Sequence, residues 1–135
     1  MKKMNPVVHF EMPAEDRNRM ADFYTKVFGW EAQMYGEEMG NYVVVKTTEG
    51  DETGRPKERG IINGGFYPKM EGAVPSVVIA VDDINESMKE VASAGGTVLG
   101  EPVTIPEVGL YVSFLDTENN RVSLMQPFMN WDKKD

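Results

Sequence analysis

The one histidine of this 135-residue chain, His9, lies in "PVVHFEM" (residues 6–12), with Glu11 two residues further on. On a strand that spacing puts both side chains on one face and leaves Val8, Phe10 and Met12 on the other. An imidazole beside a carboxylate can ligate a divalent metal, act as a general base, or hydrogen-bond a ligand carbonyl. A purely structural hydrogen bond in the interior is the competing role. Glu11 at this distance favours the protonated ring and can orient it. With no cysteine the chain offers no disulfide, thiol nucleophile or thiolate metal site. No spacing identifies a Ser–His–Asp set. Glu58, just before the fourth strand, is a further carboxylate that could join the pair in a makeshift His9–Glu11–Glu58 metal set.

The elements that must position this pair can be read along the chain. Pro13 ends the first strand, because it has no amide hydrogen for a ladder. "AEDRNRMADFYTKVFGW" (14–30) then reads as an amphipathic helix. Met20, Phe23, Tyr24 and Val27 share a face, acidic residues crowd the first turn, and Gly29 stands at the C-cap. Short strands follow at 31–36, 41–47 and 60–67, "NYVVVKT" being the clearest. "EGDETGRPKERG" (49–60) has no periodicity and reads as a mobile loop and candidate lid. "PKMEGAVP" (68–75) is a linker bracketed by prolines.

After the linker the pattern restarts. "SVVIAV" is a strand and "DDINESMKEVASAGG" a helix with Ile84, Met88 and Val91 on one face. "TVLGEPVTI", "GLYVSFLDT" and "NRVSLMQPF" are three more strands, the last two joined by the turn "DTENN". At an offset of 67 residues Asp16 falls on Asp83, Gly29 on Gly96 and His9 on Ser76. The class expected is α+β: two tandem βαβββ modules whose sheets curl around a shared cavity. One domain over 1–135 then holds module one at 6–67, the linker 68–75, module two at 76–127 and a C-terminal tail at 128–135.

Composition narrows the partners. A net charge of −8 argues against nucleic acid, which needs a basic face. No run approaches the roughly 18 apolar residues of a membrane span. "MKKMNPVV" has no apolar segment behind its lysines, so no signal peptide is read and a cytoplasmic location is expected. Ten methionines serve as core filler or as an adaptable pocket wall. The double glycine of "GGFYP" (64–68) suggests a bulge, a sheet bend or a close approach of ligand to backbone. It is no phosphate loop, since no lysine follows and no helix opens after it. "PFMNW" (127–131) offers Phe128, Met129 and Trp131 to the core, a pocket cap or a second subunit. Tyr24, Tyr42 and Tyr111 read as core or rim aromatics.

The order and spacing of these segments resemble the vicinal oxygen chelate superfamily, which includes glyoxalase I, bleomycin-resistance proteins and extradiol dioxygenases. The likeness is carried by "HFEMPAEDRNRMADFYTKVFGW", "VVIAVDDINESMKEVASAGG" and "VSFLDTENNRVSLMQP", and spans about residues 6–127. In metal-bearing members of that superfamily, the first and last strand of each module each supply one ligand, typically His or Gln, Glu, His and Glu. Carried over, the resemblance places these positions at His9, Ser76 and Ser123, with the fourth near Ile62 or Asn63. One imidazole, two hydroxyls and an amide bring no negative charge to a cation, and water competes with them.

The expected function is therefore a glyoxalase/bleomycin-resistance-like protein, metal-free, that binds a small organic molecule in the cavity between the modules. His9, Glu11, Asn63, Ser76, Ser123 and Met125 are the expected ligand contacts, and a homodimer is expected from the superfamily's habit. No cofactor is expected; a divalent metal is the exception that would change the reading. The alternative is a lyase, isomerase or dioxygenase of the same superfamily, with an atypical metal site or with His9 and Glu11 as catalytic groups. A third possibility is a module that works through association, its apolar C-terminus building a dimer.

Overall fold

The computed structural model describes residues 2–128. Its elements are β1 (Val7–Ala14), α1 (Arg17–Phe28), β2 (Glu31–Met34), β3 (Val43–Lys46), β4 (Asn63–Pro68), β5 (Ser76–Ala80), α2 (Ile84–Ser93), β6 (Thr97–Ile105), β7 (Gly109–Leu115) and β8 (Arg121–Pro127). A single 3₁₀ turn, Glu37–Met39, precedes β3. The fold is α+β, and the βαβββ order occurs twice. Two compact units divide the chain. Residues 9–75 form one, called here the His9 unit; residues up to Val8 join those from Ser76 onward in the other, the Ser123 unit.

In the His9 unit the strand order is β2-β3-β4-β1, with β1 and β4 parallel and the other pairs antiparallel. The alternation read from the sequence decides what each face meets. Phe10, Met12 and Ala14 turn toward α1 and join Ala21, Val43, Val45 and Phe66, with Met20, Tyr24 and Trp30 packed around them. Tyr24 and Trp30 stack with ring centroids 4.7 Å apart, and Tyr24 meets Phe66 at 5.7 Å. The helix face is narrower than its apolar positions suggested. Phe23 and Val27 are both 55% exposed, because α1 buries only the Met20–Ala21–Tyr24 edge. Nor do acidic residues fill its first turn. Asp16 stands just before the helix, where its carboxylate accepts from the Arg19 amide at 3.1 Å. Gly29 ends the helix in the left-handed conformation, φ 73°.

In the Ser123 unit the order is β5-β8-β7-β6, again with one parallel pair, β5–β8. The residues before His9 extend this sheet, the Pro6 carbonyl accepting from the Ala80 amide at 2.9 Å. Val81, Ile84, Val112, Phe114 and Leu124 form its core under α2. Asp83 caps α2 through the Glu86 amide, and the Gln126 side chain accepts from the Ile84 amide at 2.9 Å. In the β7–β8 turn, Asp116 accepts from the amides of Glu118 and Asn120, and Asn119 takes φ 64°. The Asn120 amide and the bonds beside it hold the Asp116 carboxyl below the usual carboxylate range.

Segment 49–60 carries hydrogen bonds of its own. The Asp51 carboxylate accepts from the amides of Thr53 and Arg55 and from the Thr53 hydroxyl, and Gly50 bridges to Pro56. Of the tail residues Phe128, Met129 and Trp131, only Phe128 lies within the described residues, and it is 56% exposed.

Candidate functional site

The sheet face opposite each helix carries the polar residues. In the His9 unit the ladder sets His9 opposite Asn63 and Glu11 opposite Gly65. Val44 stands beside Gly65 on β3, and Gln33 lies beyond it on β2. Continuing the same register, Tyr42 stands opposite Tyr67. Glu11 is only 5% exposed. Its carboxylate accepts a 2.9 Å hydrogen bond from the Tyr42 hydroxyl. The phenol reaches it by lying over Gly65. A Cβ at that position would stand 2.0 Å from the Tyr42 oxygen and 2.2 Å from its ring carbons.

The double glycine is thus no bulge, since the β1–β4 register runs through it without interruption. Gly64 serves the opposite face, where a Cβ would meet the Phe10 ring at 2.4 Å. Each glycine clears room for one aromatic ring of its own unit.

His9 is partly accessible, yet burial alone pushes its imidazole from the ordinary 6.5 down to about 4. This departs from the expectation that Glu11 favours the protonated ring. The carboxylate is engaged with Tyr42, while desolvation governs the ring. Asn63 is likewise committed, its Oδ1 accepting from the Thr47 amide at 2.9 Å, which ties the end of β3 to β4.

In the Ser123 unit Val78 stands opposite Ser123, and Ser113 stands beside it on β7. Ser76 lies two residues before Val78 on the same face. Tyr111 and Ala80 flank Met125 in the next row. Ser123 is 1% exposed and sits in a chain of hydroxyls, 2.7 Å from the Tyr111 oxygen and 3.0 Å from that of Ser113. Met125 is buried beside them.

The two ladders repeat one relation: Ser123 faces the residue two beyond Ser76, and Gly65 faces Glu11, the residue two beyond His9. By the same rule Tyr111, two residues before the β7 partner of Ser123, corresponds to Tyr42, two residues before the β3 partner of Gly65. Sequence alone marks Tyr42 and Tyr111 as core or rim aromatics and Gly65 as half of a double glycine, and gives no sign of Ser113. A signal was present in the paired openings "YVVV" and "YVSF" of the two third strands.

The donor set does not fit a divalent cation. Among the described residues no three His, Asp or Glu side chains come together in a way that could hold one, so His9, Glu11 and Glu58 do not form a group. Gly65 offers no side chain, and the Ser123 hydroxyl is tied to Tyr111 and Ser113.

Comparison with known proteins agrees with this architecture. The sequence model of the Glyoxalase/Bleomycin resistance protein/Dioxygenase superfamily matches residues 7–124. The chain belongs to this superfamily. A glyoxylase-like domain-containing protein of Didymella fabae is 33% identical over 113 residues, covering 82% of this chain and 84% of that protein. A Mycobacterium tuberculosis protein provisionally named glyoxylase CFP32 is 36% identical over 69 residues. The chain spans about a quarter of that relative's length, 26%. Among solved structures, a Streptomyces coelicolor methylmalonyl-CoA epimerase variant in complex with 2-nitronate-propionyl-CoA superposes with a TM-score of 0.68 at 15% identity. The match covers 94% of this superfamily member and all of that chain. At that identity the likeness concerns the fold. No helix among the described residues is long and apolar enough to cross a membrane.

Proposed function

We propose that this superfamily member binds small organic molecules without a divalent cation at polar sheet faces, that of His9, Glu11 and Tyr42 in the His9 unit and that of Ser76, Ser123 and Met125 in the Ser123 unit. The observation that carries this reading is what occupies the last-strand ligand positions. On the reading that these are Gly65 and Ser123, the first has no side chain and is covered by the Tyr42 phenol, and the second is bonded to two neighbouring hydroxyls. Neutral hydroxyls are weak competitors with water for a hard or borderline cation, and suit hydrogen bonding to an organic ligand.

A lyase, isomerase or dioxygenase using His9 as general base is the second reading, favoured by a ring that is unprotonated at neutral pH. Its weakness is the same number. A base near 4 takes up a proton poorly at pH 7, where catalytic bases work best with values close to the operating pH.

The test is a thermal-shift screen of small aromatic and acyl-thioester compounds, run in chelator and again with added Mn²⁺, Ni²⁺, Co²⁺ or Zn²⁺. A ligand at a hundred times its Kd adds about 2.7 kcal/mol to stability. Hits of equal size with and without metal are expected. Hits that appear only when metal is added would overturn the proposal.

A further inference from the structure

We infer that His9, Asn63 and Lys46 form a seat for an oxyanion of the ligand, a carboxylate or a phosphate ester. The inference deepens the proposed binding function and rests on it.

The ladder brings the three together. His9 stands opposite Asn63 on one side. On the other, the register that sets Val45 opposite Gly64 and Val44 opposite Gly65, carried one step on, sets Lys46 opposite Asn63. Phe10, Val43, Val45 and Phe66 turn to the core, so His9, Asn63 and Lys46 share the opposite face. Neighbouring strands lie about 4.8 Å apart, which puts the side chains of one row within reach of a single small group.

What this row has left to offer is donors. The Thr47 amide gives its hydrogen to Oδ1 of Asn63, which fixes the amide so that Nδ2, with two hydrogens, is the other end. Among the described residues no hydrogen bond reaches that Nδ2 or either ring nitrogen of His9. Whichever ring nitrogen carries the hydrogen, His9 has an N–H to give, and Lys46 adds an ammonium group. Every side-chain nitrogen or oxygen sealed from solvent in the described residues has a partner, so these unpartnered nitrogens lie where a ligand can reach them.

Charge is the second observation. The chain holds 22 acidic against 14 basic residues, and Lys2, Lys3, Lys57 and Lys89 each pair with a carboxylate. Lys46 is half-buried and pairs with none among the described residues, although Glu31 stands opposite it on β2. The other carboxylate of this face, Glu11, lies one row along and accepts from the Tyr42 hydroxyl. The arrangement also recurs. In the Ser123 unit Arg121 takes the place of Asn63, with Leu115 opposite it on β7 and Ser76 in the place of His9. Arg121 too is half-buried and without an ion pair among the described residues. A cation left over in the same row of both sheets of an acidic protein is charge kept for a bound anion. An oxyanion brings acceptors and the opposite charge to these donors; an amine would bring more donors and like charge.

Benzoate, phenyl phosphate and uncharged benzamide test the seat with one ring and three head groups. In chemical-shift titrations of the full-length protein at pH 7, an anion is expected to move the side-chain amide of Asn63 and the backbone amide of Lys46, and benzamide to leave them in place. The anion that binds more tightly identifies the group. Asn63→Asp keeps an oxygen for the Thr47 amide while replacing the donor with like charge, and Lys46→Met removes the charge at similar length. Each is expected to weaken the anion about tenfold or more, and Lys46→Arg to retain it. Should Asn63→Asp fail to fold, Lys46→Met and Lys46→Arg decide by themselves. Benzamide binding as tightly as the anions, anions binding unchanged in Lys46→Met, or neither anion binding would each overturn the inference. Metal-independent hits in the wider screen without any preference for anionic heads would sink this seat and leave the binding function standing. Hits that require metal would sink the reading beneath it.

Discussion

Between pH 7.5 and pH 4 the folded protein is expected to lose about 3 kcal/mol of stability through His9 alone. Burial holds the imidazole at about 4 in the folded chain against 6.5 when solvated, so folding favours the neutral ring. Above 6.5 both states leave the ring unprotonated and its full contribution is present. As the pH falls below 6.5, the unfolded chain takes up a proton that the folded chain refuses, and stability declines until the folded ring also titrates near 4. The difference between the two values corresponds to about 3 kcal/mol. Carboxylates titrate over part of the same range, so the quantity to follow is the difference in urea unfolding between the natural chain and His9→Gln. That difference should stay level above pH 6.5, shift steadily in favour of the glutamine variant down to pH 4, and level off below. Because the sequence holds a single histidine, proton NMR gives the same answer directly. One imidazole resonance titrating near 4 agrees with the account; one titrating near 6.5 contradicts it.

The two adjacent glycines of β4 should respond very differently to the same substitution. Gly64→Ala sets a methyl group 2.4 Å from the Phe10 ring, which is hemmed in by Trp30 at a centroid distance of 5.6 Å. Neither ring can withdraw without opening the core, so a loss of about 3 kcal/mol is expected. Gly65→Ala collides instead with the outer end of Tyr42, which can swing away. The loss there should be about 1–2 kcal/mol, reflecting the broken bond to Glu11. In a Tyr42→Ala background, Gly65→Ala should cost nothing or stabilise slightly, because alanine restricts the unfolded strand more than glycine does. Urea unfolding of the natural chain, the three single variants and the Tyr42→Ala/Gly65→Ala pair checks this, the pair through its non-additivity. Equal and additive losses at both glycines would mean that the rings do not lie where described.

The order of elements and the opposite faces of β1 were legible because they depend on local pattern. Alternating Phe10 and Met12 choose the core, and His9 and Glu11 are left for the other side, although β1 runs on through Pro13, expected to end it, to Ala14. Asp16, Gly29 and Asp83 fall at the helix ends for equally local reasons. Phe23 and Val27 misled, since helical spacing marks an apolar stripe but not how much of it the sheet can reach. The candidate site was harder to read. Its fourth position depends on which residue of β4 faces Glu11, and a shift of two residues along a strand keeps the same face while changing the neighbour. The role of Tyr42 depends on an absent side chain at Gly65. Glycine in a strand announces missing bulk without saying what fills the space.

The proposed function rests on the claim that His9, the hydroxyls of Ser76 and Ser123, and a glycine covered by the Tyr42 phenol do not hold a divalent cation. Isothermal titration of Co²⁺ into the chelator-treated protein at pH 7, with the visible spectrum recorded at each addition, tests it most directly. The account predicts only weak heats, no ligand-field bands beyond those of the aqueous ion, and no difference between the natural chain and His9→Ala. One equivalent of tightly bound cobalt with its own absorption bands, lost in His9→Ala, would contradict it.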